Sequence, residues 1–332
     1  MRNIKTVIKK IVPKCFWELR KMRYYKKQQI KWNKFWNSRA LKYSDISNTK
    51  QAKEALLLAE GHVVEKGLTM PNRRLGFGYQ KVRSLILHCK EWIKEFDYKN
   101  DALQFAIQDL VEYYNLHQNN NFLLPVDITD GIENLMPYLL VEDSVTFEIS
   151  SAEYFKTVAN FEELAYQRHS IRKYGTAEID IDIVKEAVKL AQTAPSACNR
   201  QGVRVTIIDD KFVLDKVVAI QNGNRGFGHL ADKLILLSFE QGAIEYEYRA
   251  SGYIDVGIFA MNLLYALHLN KICACTLNSH LTIEQMNELQ DILGYEPSEI
   301  PVLFIMIGSA PSDNLIIAKS KRVDVNNICR VI

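Results

Sequence analysis

The sequence predicts a mixed fold of helices and strands, α/β or, if the strands pair antiparallel, α+β, preceded by an all-helical N-terminal region. Three patterns carry that expectation. Apolar residues recur at helical spacing, with no strand-like run, from about residue 45 to 120. From about 150 onward, short β-rich runs alternate with helical stripes. The chain has 332 residues, 48% hydrophobic and 24% charged, and no internal repeat, so it can bury one large core or two modest ones. The expected divisions are a basic arm over 1–40, a helical region over 41–130, and a domain of helices and strands over 150–332.

The arm holds thirteen Lys and Arg against one acid, Glu18, while the whole chain carries a net charge of only +3. Ile4, Val7, Ile8, Ile11, Cys15, Leu19 and Met22 follow a helical period that Pro13 interrupts. Trp17, Tyr24, Tyr25, Trp32, Phe35 and Trp36 add rings suited to a lipid headgroup region. Two readings stay open, an anionic membrane surface and a helix docked on its own protein. No nucleic-acid module accompanies the charge, so nucleic acid is not an expected partner.

In the helical region, Ala52, Ala55, Leu56, Leu58 and Ala59 form one stripe. Leu85, Ile86, Trp92 and Ile93 form a second, and Leu103, Ile107 and Leu110 a third. Between the first two, Gly67 is placed to close a helix in the left-handed conformation, and Pro71-Asn72 is turn chemistry. Gly76 and Gly78 make a GxG with no strand before it, which argues against a dinucleotide loop. Lys66, Arg73 and Arg74 could hold an anion, but turn chemistry favours a structural loop. Residues 118–130, rich in asparagine, read as a linker.

Beyond 150, helices are expected at roughly 151–166, 180–193, 246–269 and 284–293. Strands are expected at 203–208, 234–239, 272–277 and 301–307. The six cysteines (Cys15, Cys89, Cys198, Cys273, Cys275, Cys329) form no CxxC pair and no zinc spacing, so neither a disulfide framework nor a metal site is expected. Cys273 and Cys275 share one strand face and read as small core residues rather than a redox pair. Cys198 lies in a candidate ligand loop. No apolar run approaches the roughly eighteen residues of a bilayer span, and no signal peptide is evident, which leads to the expectation of a cytoplasmic protein.

Chemistry concentrates in three places. RHSIRKY puts Arg168, His169, Ser170 and Arg172 within five residues, and two guanidinium forks with a hydroxyl can converge on a phosphate. APSACNRQ follows, where Pro195 ends a helix, Ser196 lets backbone approach a ligand, and Asn199 and Gln201 offer amides to the edge of a flat heterocycle. After the last strand, AKSKR supplies Lys319, Lys321 and Arg322.

In this order, these segments resemble the nitroreductase family of flavin mononucleotide (FMN) enzymes. The likeness continues through APSACNRQGVRVTII, YIDVGIFAMNLLYALHLNKICACTLN and IPVLFIMIGSAP, and spans about 160–332. It implies an α+β sheet flanked by helices and an intertwined homodimer with two flavins at its interface. Arg168, Ser170 and Arg172 would hold the flavin phosphate and ribityl chain, with His169 beside them. One of Lys319, Lys321 and Arg322 would complete that grip. Pro195, Ser196, Asn199 and Gln201 would face the isoalloxazine ring. It further implies ping-pong hydride transfer from NAD(P)H to an acceptor, with no obligatory protein acid or base.

Departures from the family pattern are Leu269-Asn270-Lys271 for the usual Gly-Leu-Gly and Gln201-Gly202-Val203 for Gln-Pro-Trp. The segment that often covers the substrate is also short. HVVEKGL with RRLGFG is similar to extensions on family members linked to bacterial cell-surface polysaccharide genes, which implies that biosynthetic setting and a place at the inner membrane face. The competing functions are a flavin- and oxygen-dependent oxidase or fragmenting enzyme, and a non-catalytic binding or scaffold protein of the same fold.

Overall fold

A computed structural model describes residues 14–43, 49–243 and 250–332. The arm's pattern up to Pro13 therefore lies outside the described residues, as do the first residues of the expected helix from 246. Helix α1 (Lys14–Tyr43) follows. From Glu18 to Lys34 its described side chains are exposed apart from a half-buried Gln28.

The helical region comprises α2 (Lys50–Leu68), α3 (Tyr79–Glu95), α4 (Asp101–Asn119) and α5 (Val126–Glu133). Thr49 caps α2 by accepting from Ala52 N, and Asn100 caps α4 by accepting from Ala102 and Leu103 N. The second and third expected stripes supply Leu85, Ile86, Trp92, Leu103, Ile107 and Leu110 to one core, joined by Leu57, Val82 and Tyr113, and the first supplies none of its named residues. Leu56 and Leu58 lie off that core, which takes Leu57 from the same turn.

The 118–130 stretch is not a linker: α4 continues to Asn119 and α5 begins at Val126, burying Ile128 and Ile132. Leu135 and Val145 still belong to the helical core, so this half extends well past residue 130. Gly67 does not terminate α2 either. It lies inside the helix, where any side chain would collide with the Phe77 ring. Two left-handed glycines, Gly76 (φ 72°) and Gly78 (φ 69°), stand instead at the turn that leads into α3.

The second half begins with β1 (Thr146–Ile149), then two short helices where one was expected, α6 (Ser151–Tyr154) and α7 (Phe161–Gln167). Each has its own side-chain cap, Ser150 and Asn160. There follow α8 (Ile181–Ala191), β2 (Val203–Ile208), α9 (Lys211–Ile220), β3 (Lys233–Glu240) and α10 (Ala250–Leu269). The chain ends with β4 (Cys273–Asn278), α11 (Ile283–Leu293), β5 (Glu299–Gly308) and β6 (Leu315–Ala318).

Strands β2-β3-β5-β4 form one sheet in that order, and every pair is antiparallel, which makes the fold α+β. Register slips between Leu237 and Ser238, where Pro301 of β5 pairs with Ser238 and has no N–H to give the ladder.

Alternation along the strands makes two cores. Leu234, Leu236, Phe304, Met306, Cys273 and Cys275 face α9 and α11, whereas Ile235, Leu237, Ile305, Ile307 and Ala274 face α8 and α10. Both thiols are buried on one face, as the spacing predicts. By length and composition α10 could cross a membrane, contrary to the expectation that no run is long enough. Here Val256, Phe259, Leu263 and Leu267 are buried against the sheet.

A separate ladder pairs β1 with β6 and sends the tail back over the helical half. Lys319 N donates to Val145 O (2.9 Å), Ser320 N to Glu65 Oε1 (2.9 Å) and Asp324 N to Asp101 Oδ2 (3.0 Å). The Ser320 bond ties the C-terminal end of α2 to the tail.

Candidate functional site

Arg168 closes α7 in extended backbone, and the segment after it lies along β4, with Ile171 N donating to Ala274 O (2.9 Å). Burial of Ile171 and Tyr174 fixes this segment against the sheet. Arg172 is drawn in with it and is only 8% exposed. Its Nε is buried with no hydrogen-bond partner, and so is Nε of Arg168. Buried guanidinium donors without acceptors are costly, since these groups lose hydration and gain nothing in return. Ser170 is half-buried in the same segment.

His169 is held on both sides. Its backbone N–H donates to Tyr154 Oη (2.9 Å), and Nδ1 is 2.6 Å from Gln167 O, a carbonyl that requires the ring nitrogen to be the donor. Burial, then the Arg168 and Arg322 charges, hold its pKa below the ordinary range. A neutral ring donating from Nδ1 presents Nε2 as an acceptor, which suits a ligand hydroxyl better than a phosphate oxygen. His268, buried behind it, is lowered to about 4 by burial and by Arg168 and His169. These two imidazoles therefore add no positive charge near neutrality.

Of the three tail cations, two are committed elsewhere. Lys319 lies 2.9 Å and Lys321 3.1 Å from the Asp143 carboxylate, and Lys321 also donates to Gln108 Oε1 (2.5 Å). This pairing lowers the Asp143 pKa. Among the described residues, Arg322 donates to the Ser320 and Lys321 carbonyls, from a turn in which Ser320 adopts φ 49°. Its charge reaches His169. Of the three, Arg322 is thus the one whose charge reaches the motif and that forms no ion pair among the described residues.

Lys66, from the end of α2, joins from the helical half. Sequence chemistry favoured a loop here and gave no sign of the neighbours that folding would supply. Lys66 Nζ donates to Gly223 O (2.8 Å) and lies 5.3 Å from the Phe227 ring centre. Burial, then Arg172, lowers its pKa. Burial likewise raises the Cys275 thiol, against the pull of Arg172, Lys66 and Arg168. Among the described residues, none of Lys66, Arg168, Arg172 and Arg322 forms an ion pair with a carboxylate. A carboxylate does lie nearby: Glu65, whose charge reaches His169, accepts from Ser320 N and sits 3.3 Å from His62 Nδ1.

The amide loop is built differently. Cys198, Asn199 and Gln201 all adopt positive φ (54°, 53° and 49°), a conformation that non-glycine residues take at a cost. It is held by Ala197 N donating to Asp255 (3.1 Å to each oxygen), Gln201 N to Ser196 Oγ (3.0 Å) and Gln201 Nε2 to Asn199 Oδ1 (3.3 Å). Pro195, Ser196 and Gln201 line a small cavity with Asp255 and Phe259.

Within one chain, this loop does not meet the arginines. It leads into the end of the sheet where Gly202 O accepts from Glu240 N. The arginine segment bonds to Ala274, which pairs with Ile307 and through it with Lys233. From Lys233 to Glu240 is seven residues of strand, about 24 Å. The cradle expected from sequence is therefore divided between opposite ends of the sheet.

The nitroreductase family model matches residues 165–224, a span that contains both RHSIRKY and APSACNRQ. Solved structures resembling this chain include a nitroreductase family protein from Streptococcus pneumoniae (20% identity, 52% of this chain and 100% of that one, TM-score 0.45). Another is a nitroreductase-like protein from Streptococcus mutans (18%, 52% and 97%, TM-score 0.44). A third is a protein from Desulfovibrio desulfuricans solved in complex with FMN (22%, 52% and 96%, TM-score 0.45). No curated protein matches the chain.

Proposed function

We propose that this chain is an FMN-dependent oxidoreductase of the nitroreductase family that works as a homodimer. The observation that carries the reading is the pair of buried, unpartnered Nε donors on Arg168 and Arg172, inside the segment the family model matches. A phosphate dianion fits that donor set, because it would satisfy both guanidiniums and offset their charge. Arg322 adds a third cation, Ser170 a hydroxyl, and His169 Nε2 an acceptor for a ribityl hydroxyl. The 195–201 loop of a second copy would lie against the flavin ring, bridging the distance that separates loop and arginines in one chain. FMN supplies hydride chemistry between NAD(P)H and an acceptor; the protein binds and orients it.

Anaerobic titration tests this reading. Purified protein should take up FMN and bleach with NADH or NADPH. Uptake of FMN without bleaching by either nucleotide would favour the oxygen-dependent alternative, and failure to take up FMN would favour a binding or scaffold role.

We extend the proposal to the arm. A cationic helix whose described side chains from Glu18 to Lys34 are exposed apart from Gln28, with Leu19 and Met22 more than half exposed, suits the anionic inner face of a membrane better than docking on its own protein. Deleting residues 1–40 should abolish association with vesicles containing phosphatidylserine while leaving FMN uptake unchanged, and raising salt should weaken binding of the full chain. Equal vesicle binding by both proteins would end the membrane idea. Work on lipid-linked polysaccharide precursors is the setting proposed for such an enzyme.

A further inference from the structure

We propose that Lys66, on helix α2 of the helical half, is a direct ligand of the anion gripped by Arg168 and Arg172, so that the helical half is part of the cofactor site; the inference rests on the flavin reading above.

The geometry comes from three elements that meet at one place. Helix α2 carries Lys66 to its last turn, and the Gly223 carbonyl takes one of its three N–H donors at 2.8 Å. Two donors remain, and among the described residues no carboxylate forms an ion pair with the ammonium. Lys66 is half-buried beside the Phe227 ring, so its charge is not freely hydrated. Gly223 lies against Leu277 of β4, and Ile171 N bonds to Ala274 O of the same strand, so the Arg172 segment packs on the strand that the Lys66 loop reaches; the Arg172 side chain is buried and has an orphaned donor. Two like charges drawn together behind a partly dry surface repel more strongly than they would in water. Burial and Arg172 depress the Lys66 pKa accordingly. An anion between them removes that repulsion and supplies the acceptors both groups lack.

A purely structural role for Lys66 would be to tie the Gly223 loop to α2. That role accounts for one hydrogen bond, but not for an ammonium placed where Arg172 opposes it; a neutral amide would make the same bond without repulsion. The residue next to it extends the same function. Glu65 fixes the Ser320 backbone at 2.9 Å, and Gln108 and Asp143 hold Lys321, so the helical half also sets the turn that carries Arg322. One cation of the site is thus contributed by this half and another is positioned by it.

The test compares the wild-type chain with Lys66→Met and Lys66→Arg, each titrated with FMN, with riboflavin and with inorganic phosphate. Riboflavin shares the ring and ribityl chain but lacks the phosphate. Lys66→Met should weaken FMN roughly ten- to a hundredfold, the size of one charge-assisted hydrogen bond, while riboflavin affinity stays unchanged. Lys66→Arg should recover most of the FMN affinity, and inorganic phosphate should compete with FMN less well on Lys66→Met than on wild type. FMN binding by Lys66→Met equal to wild type overturns the inference and leaves the flavin reading intact. Equal losses of FMN and riboflavin also overturn it, because they mark a packing role. A wild-type chain that binds neither flavin overturns the flavin reading and this inference with it.

Discussion

Arg168→Ala combined with Arg172→Ala should leave a folded protein that retains no FMN through gel filtration. Each guanidinium–phosphate hydrogen bond contributes about 1.5–3 kcal/mol. Removing two therefore weakens affinity by roughly a hundredfold at the least. The stability of the flavin-free protein should move the other way or not at all. In the apo chain both Nε atoms are buried without acceptors, and deleting an uncompensated buried cation relieves a cost. Opposite responses separate a binding role from a folding role: an ion pair holding the segment in place would lose stability and flavin together. Flavin content that survives the double change would remove the phosphate assignment.

The change from a helical half to a half that also holds strands was legible because its signals are local, whereas antiparallel pairing was not, since the strand runs fit α/β and α+β alike. Val203–Ile208 is a β-branched run whose observed strand has the same limits, and Cys273 and Cys275 share a face as period-two alternation requires. Helix α9 was not: Lys211–Ile220 is short, and its apolar residues blur into the strand before it. Strands β1 and β6 were missed because each is four residues long and pairs only with the other, 169 residues away. No window along the chain contains that pairing.

Site chemistry divides along the same line. RHSIRKY gathers two arginines, a histidine and a serine by its own composition. The choice among Lys319, Lys321 and Arg322 depends on Asp143, and Lys66 depends on Arg172, neither of which is near its counterpart in sequence. Conversely, the clustering of 168–172 with 195–201 within some thirty residues suggested proximity, whereas the sheet carries the two segments to opposite ends.

That separation makes the proposed dimer testable without a structure of the complex. If each flavin takes its phosphate grip from one protomer and its ring contacts from the other, the two defects should complement. Arg168→Ala/Arg172→Ala removes the grip. Ser196→Trp fills the space over the amide loop. Each homodimer should be empty, since both of its sites carry the defect. In a mixed dimer, one site receives the altered arginines and the altered loop, and the other receives neither. Mixed dimers isolated through two different affinity tags should therefore bind about half the wild-type flavin, the consequence of two-fold symmetry with shared sites. Flavin contributed wholly within one chain gives the opposite result, because every protomer in the mixture then carries a defect and the mixed dimer stays colourless. That outcome would place the 195–201 loop over the flavin of its own chain, whereas flavin retained by the Ser196→Trp homodimer would take the loop out of the flavin site, and the strained backbone at Cys198, Asn199 and Gln201 would need a different ligand.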